Sequence, residues 1–418
     1  MPKVSFFAIF AALPAAVRKN LVVLLSAQAL STGAVTVSTS LSSIIVEDIT
    51  GSATLSGLPA TINFFASAVA AYWFGRLMAA RGRRVGLSLG YAIGAVGAVL
   101  AAWMALQHNF YGFLISGSLV GVCNGVVSQG RYAAGEMVSK AVRGRVMGSL
   151  LTGSVLGTVL SYAITPLFHN LARAWNLPPI EFGWYLGGAF LALGAFSLWL
   201  FLRPDPKALA VGEDGLSVTS SSTSGGPKLA PIRAWPVLLR NPGVRLAMTS
   251  LMFGQGLMVM LMVLTPLHAK HLGLEPTILV TEHIVGMFGF AWLTGQLVDA
   301  WGRRTVVMLG AAQMIVAGFV AVFATRSLEL GFSMFVVGLG WNFLNVAGSA
   351  LLTDHLEPHE RARVQGGAEL ASWMSAATGA LGGGLIVGRF GYPTIGAIAM
   401  LVSCIPLASA FLSKLERK

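Results

Sequence analysis

Twelve apolar stretches, each close to the ~20 residues that a helix needs to cross a hydrocarbon core of ~30 Å, run the length of this 418-residue chain. They fall at residues 20–46, 55–78, 85–106, 110–138, 146–168 and 182–202, and again at 243–269, 276–298, 305–325, 329–353, 364–388 and 392–413. Hydrophobic residues make up 55% and charged residues only 11%, a balance that excludes an ordinary soluble globule. The expected fold is an all-α membrane protein of twelve transmembrane helices in two six-helix halves. The expected divisions are a cytoplasmic leader at 1–19, an N-terminal bundle at 20–202, a flexible cytoplasmic linker at 203–242, a C-terminal bundle at 243–413 and a cytoplasmic tail at 414–418.

The two halves are copies. Gly75-x-Leu77 followed by Gly82-Arg83-Arg84 recurs about 220 residues on as Gly295-x-Leu297 followed by Gly302-Arg303-Arg304. Glu136 precedes Arg143-Gly144-Arg145-Val146 and Gly148, just as Asp354 precedes Arg361-Ala362-Arg363-Val364 and Gly366, with the same gap from acid to first arginine. Matched basic loops on duplicated spans predict two pseudo-symmetric bundles with a pathway between them.

Net charge is +12, which in a soluble protein would suggest a nucleic-acid partner. Here its distribution decides otherwise. Arg173, Lys270, Arg326 and Arg389 fall between spans on one side and Arg131 falls within a span; the rest of the 28 Lys and Arg lie on the other side. The positive-inside rule makes that side cytoplasmic, with both termini inside, and no nucleic acid is expected. Cys123 and Cys404, the two cysteines, each lie in a span and offer neither a disulfide framework nor a metal site. Residues 4–17 are apolar but short, and Arg18-Lys19 opposes their export as a signal peptide, so an interfacial leader is expected. Pro204-x-Pro206 and the Ser- and Gly-rich run 219–226 mark the linker.

Polar groups at membrane depth are costly and each needs a reason. Span 4 carries Asn124, Ser128 and Arg131 on one stripe, and span 10 carries Asn342, Asn345 and Ser349 likewise. Asn124 and Asn342 stand at the offset that relates Glu136 to Asp354, which makes them candidate partners facing one cavity. Interhelical hydrogen bonding is the alternative. Arg131 could hold an anionic or carbonyl-rich substrate, or pair with Glu136. Glu282 and His283 in the outer third of span 8, and Glu369 near the cytoplasmic end of span 11, are candidate proton carriers, the alternative for Glu369 being a carboxylate reaching the interface. Met252, Met258, Met260 and Met262 offer span 7 either a permissive apolar surface or plain packing. Gly379 to Gly384 is read as close helix contact.

Gly75 to Arg84 and Gly295 to Arg304 resemble the loop signature of the major facilitator superfamily of secondary transporters, and the resemblance covers essentially the whole chain. It implies that spans 1, 4, 7 and 10 line the central pathway, adding Gln28, Thr32, Thr36 and Thr39 from span 1 and Gln255 from span 7 as candidate substrate contacts. It implies also a cytoplasmic gating latch of acid, Arg and a second acid: Asp299, Arg303 and Asp354 in the C-terminal half. In the N-terminal half the first acid is replaced by Ala79, leaving Arg83 and Glu136 and a weaker latch. Gln129 to Glu136, Thr265 to His268 and His283 to Met287 resemble a bacterial subgroup with proposed riboflavin importers. Span 5 lacks the adjacent Gly-Pro pair of the antiporter signature. The expected activity is proton-coupled alternating-access transport of a small organic solute across the bacterial inner membrane, by a monomer without cofactor or metal. A facilitated-diffusion uniporter and a binding protein without turnover remain alternatives. No zincin motif, nucleophile elbow or phosphate loop argues for an enzyme.

Overall fold

The computed structural model describes residues 10, 13–51, 58–175, 179–210, 235–274 and 276–413. Among them all regular structure is helical. In the first half α1 (Ala15–Thr50), α2 (Leu58–Arg81) and α3 (Arg83–Leu106) form spans 1 to 3. Span 4 is α4 (Phe110–Val127) with α5 (Gly130–Glu136), and α6 (Arg143–Ala174) and α7 (Pro179–Phe201) complete the six. In the second half the short α8 (Trp235–Leu238) precedes α9 (Pro242–His271). Span 8 is α10 (Pro276–Ile284), a π-helical turn at Val285–Gly289, and α11 (Ala291–Trp301). Spans 9 to 11 are α12 (Arg303–Phe323), α13 (Ser327–Asp354) and α14 (Arg361–Phe390), and span 12 is α15 (Tyr392–Val402) with α16 (Cys404–Leu412). Eight helical stretches among the described residues are individually long and apolar enough to cross a membrane.

The repeated signature has a local physical cause. Gly82 and Gly302 sit between successive helices at φ +90° and +84°, left-handed backbone that a side chain adopts only under strain. Each ends one span and starts the next within a single residue, which throws the arginines that follow onto the first turn of α3 and α12.

The chain divides into two compact units, Met1–Ala134 with Gly153–Leu209 and Gly135–Thr152 with Ala210–Lys418. In the first unit α3 packs on α4 where Gly90 meets Val126 and Gly97 meets Leu119, so tightly that a Cβ on either glycine would overlap its neighbour. In the second unit Gly379 of α14 closes on the Gly256 backbone of α9, as expected for close helix contact, whereas Gly382 and Gly384 face open space. Met258 and Met260 are buried in the packing of α9. Phe65, Trp73, Trp103, Phe319, Phe390 and Phe411 are exposed, as apolar side chains facing lipid would be.

Two boundaries differ from the expected ones. The first helix begins at Ala15, inside the segment read as leader; residues 1–9 lie outside the described residues. The start of the linker is held rather than loose, because the Asp205 carboxylate accepts the N–H groups of Arg83 (3.1 Å) and Arg84 (2.9 Å) at the N-terminus of α3. Asn20 Nδ2 donates to the Pro204 carbonyl (2.8 Å), and Lys207 Nζ to that of Ala79 (2.6 Å). A carboxylate on free N–H groups at a helix start is favoured by the macrodipole and outweighs the turn-rich local sequence. The run 219–226 lies outside the described residues.

Candidate functional site

In the second unit Asp299, Asp354, Arg143, Arg145 and Arg303 form one cluster. Asp299, at the end of α11 past the 276–298 span, keeps its side chain 1% exposed. Its two oxygens accept the backbone N–H of Gly144 and of Arg145, each at 2.9 Å, so it caps the N-terminus of α6. Arg303 Nη1 lies 3.4 Å and Arg145 Nε 3.7 Å from the same carboxylate. Burial pushes the Asp299 carboxyl up to about 6 from an ordinary 3.8, against the opposite pull of Arg303, the two N–H groups and Arg145. Asp354 takes Arg303 Nε on one oxygen at 2.9 Å and Arg143 Nη1 on the other. Arg143 is held in turn by the carbonyls of Gly135 (2.9 Å) and Val138 (3.3 Å). Asp299, Arg303 and Asp354 thus lie together, and Arg143 and Arg145, which the sequence marks only as half of a repeat, join them.

Backbone shape makes that cap reachable. At Gly144 a Cβ would stand 2.7 Å from Asp299 Oδ1 and 2.9 Å from the Gly295 carbonyl; at Gly148 it would overlap the Ala291 carbonyl, and at Gly295 that of Gly144. The first glycine of the repeated signature is therefore the place where α11 lets the backbone of α6 approach. Of the N-terminal pair, Arg83 is buried in the first unit with Nη1 3.6 Å from Met78 Sδ, and Glu136 is buried in the second.

Among the in-span candidates of the first unit, Asn124 Nδ2 donates to Asn63 Oδ1 (3.0 Å) between α4 and α2. Gln28 Nε2 reaches Ser154 (3.1 Å) and Thr32 (3.5 Å), while the Thr32 and Thr36 hydroxyls return to carbonyls one turn back. Thr39's side chain lies outside the described residues. Arg131 is buried where span 4 breaks; it donates to the Ser128 carbonyl (2.8 Å) and lies over the Tyr132 ring, 4.8 Å from its centroid.

In the second unit Gln255 Oε1 accepts Trp341 Nε1 at 2.7 Å, and Trp341 meets Phe288 edge to face at 5.8 Å. Asn342 Nδ2 donates to the carbonyl of Met287, inside the π turn, while Asn342 Oδ1 and Asn345 Oδ1 are buried with no hydrogen-bond partner. His283 Nδ1 lies 3.0 Å from the Met334 carbonyl, and His283 Nε2 and Glu282 Oε2 are likewise buried and unpartnered. Glu369 is buried in α14. Among the described residues no group of His, Cys, Asp and Glu could hold a metal ion.

The profile of the Major Facilitator Superfamily matches residues 23–298 and 277–418. The chain belongs to the major facilitator superfamily. It is 27% identical over 414 residues to the MFS-type transporter YddS of Bacillus subtilis (strain 168), covering 96% of this chain and 92% of the relative. Its identity to the riboflavin transporter RfnT of Brucella anthropi is 23%, covering 91% and 92%. The solved proton:xylose symporter XylE, at 15% identity, superposes with a TM-score of 0.74 over 94% of both chains and shares the fold. As a member of this superfamily the chain is a multi-pass membrane transporter of a small solute, and its twelve helical spans agree with the two-bundle MFS fold.

Proposed function

We propose that this MFS transporter moves a small organic solute across the bacterial inner membrane by proton-coupled alternating access, as a monomer with both termini cytoplasmic. The halves that alternate are the bundles 20–202 and 243–413, joined by the cytoplasmic linker 203–242. Substrate meets Gln28, Thr32, Thr36, Asn124 and Arg131 from the first half and Gln255, Asn342 and Asn345 from the second. The cluster of Asp299, Arg303 and Asp354 holds segment 135–152 against the C-terminal helices, which closes the cytoplasmic side; opening it requires the α6 cap to be broken. Arg83 and Glu136 make the weaker N-terminal counterpart, since Ala79 supplies no acid.

The observation that carries coupling is that two consecutive residues each bury a polar atom without a partner, Glu282 Oε2 and His283 Nε2, just before an interruption of the helix. A proton can reach either atom without breaking an existing bond. π turns recur at functional sites because they free backbone groups and let a helix deform locally. RfnT, a riboflavin transporter, makes amphipathic metabolites the first cargo to test.

The test uses proteoliposomes under an imposed pH gradient, with cargo chosen as whatever stabilises the purified protein in a thermal-shift screen that includes riboflavin. Glu282→Gln should keep the ligand-induced stabilisation and lose pH-driven accumulation. A Glu282→Gln, His283→Asn, Glu369→Gln variant that still accumulates cargo on a pH gradient would exclude these carriers and leave facilitated diffusion or another ion.

A further inference from the structure

On α13, Trp341, Asn345 and Asn342 occupy one arc of the helix, with Asn345 in the middle, because positions three and four apart share a face. Each end of that arc is fixed. Trp341 is anchored by Gln255 of α9, and Asn342 by the Met287 carbonyl, which can only accept and so turns the amide's oxygen away from it. The result is two buried acceptors, Asn342 Oδ1 and Asn345 Oδ1, with nothing donating to them, beside an aromatic corner made by Trp341 and Phe288. Asn342 is fully buried and Asn345 is 6% exposed. A buried acceptor left empty costs about as much as a lost hydrogen bond, so something with N–H or O–H groups belongs there.

We propose that this face of the second unit is a substrate subsite for a flat, uncharged ring bearing N–H donors, with the two asparagine oxygens as acceptors and the Trp341 and Phe288 rings as walls. The proposal rests on the transport reading above, because the ring is the cargo or its recognised end. Anions are refused: two amide oxygens repel a carboxylate or phosphate oxygen, and no cation donates to either of them. Apolar rings without N–H groups are refused too, since they would seal the empty acceptors away from water. The aromatic corner favours a plane that can lie against one ring and meet the edge of the other.

Two pairs of probes test it on purified full-length protein by thermal shift and titration calorimetry: xanthine against its fully N-methylated counterpart caffeine, and lumichrome against its N-methylated form. At least one N–H-bearing member should bind, with its methylated partner weaker by about tenfold or more. Asn345→Leu should raise the melting temperature of the ligand-free protein, because an unsatisfied acceptor is removed, and at the same time weaken the N–H ring about tenfold. Equal binding of methylated and unmethylated rings, no binding by either N–H member, or a stability gain in Asn345→Leu without loss of binding would each overturn the proposal and assign the oxygens to trapped water. The two readings fail separately. Binding of an N–H ring without pH-driven uptake removes coupling and leaves the subsite; pH-driven uptake with no preference for N–H groups removes the subsite and leaves coupling.

Discussion

Replacing Asp299 by Ala removes a carboxylate that caps α6 through two N–H bonds of 2.9 Å while Arg303 and Arg145 flank it at 3.4 and 3.7 Å. Losing an N-cap acceptor costs about 0.5–2 kcal/mol, and losing an anion from a helix start about 0.3–1 kcal/mol more at an exposed site. The burial cost of the carboxylate is relieved at the same time, which offsets part of this. A net loss of about 1–2 kcal/mol, or roughly 5- to 30-fold in the ratio of docked to undocked segment 135–152, is expected. Val298 reports it, being fully buried with its Cγ1 under Gly144. In a Val298→Cys protein with Cys123 and Cys404 changed to Ser, the thiol should react with a maleimide roughly 5- to 30-fold faster when Asp299→Ala is added. Asp299→Asn keeps one acceptor and sheds the burial cost of the charge, so its effect should be much smaller. Labelling at the same rate in the Asp299→Ala and parent proteins would refute the capping role.

The same thiol gives three further expectations. Because the docked Asp299 carboxyl sits at about 6 and a free one near 3.8, docking takes up a proton. The contribution is therefore full below the free value and falls as pH rises through the docked one, so labelling should quicken between roughly pH 4 and 6 and level off above, after correction for thiolate reactivity. Gly148→Ala, which places a Cβ on the Ala291 carbonyl, should undock the segment with every charge intact, and slow labelling in that variant would count against a backbone seam. Asp205→Ala should lower the apparent unfolding stability by about 1 kcal/mol through the lost α3 cap, without changing Val298→Cys labelling; an unchanged melting temperature would place the linker's start free of α3.

The spans and the duplication were legible because a bilayer imposes length and a repeat imposes spacing, and neither depends on distant contacts. Arg303 and Asp354 could be singled out for the same reason, since they occupy matched positions of a repeated pattern, whereas Asp299, whose counterpart is Ala79, followed only from the resemblance to the superfamily's loop signature. Arg143 and Arg145 carry an identical signal to Arg361 and Arg363, yet only the fold shows that Arg143 shares Asp354 with Arg303, since those partners lie far apart in sequence. The π turn at Val285–Gly289 left no mark in an apolar run that reads as any other span. Asp205 sits in a Pro-rich stretch whose composition speaks for a loose linker, and one carboxylate meeting two N–H groups overrides that composition.

The seam of Gly144, Gly148, Ala291 and Gly295 has a mechanical consequence. Most contacts between helices can yield gradually, because side chains change rotamer and keep touching as the backbones part. Here main chain lies on main chain, and there are no rotamers to spend. Displacement by one residue along either helix would bring Arg143 or Arg145, or Thr294 or Gln296, to the place that a glycine now holds. Such a joint has no half-open setting; it behaves as a catch that is home or released, and the Asp299 cap decides how long it stays home.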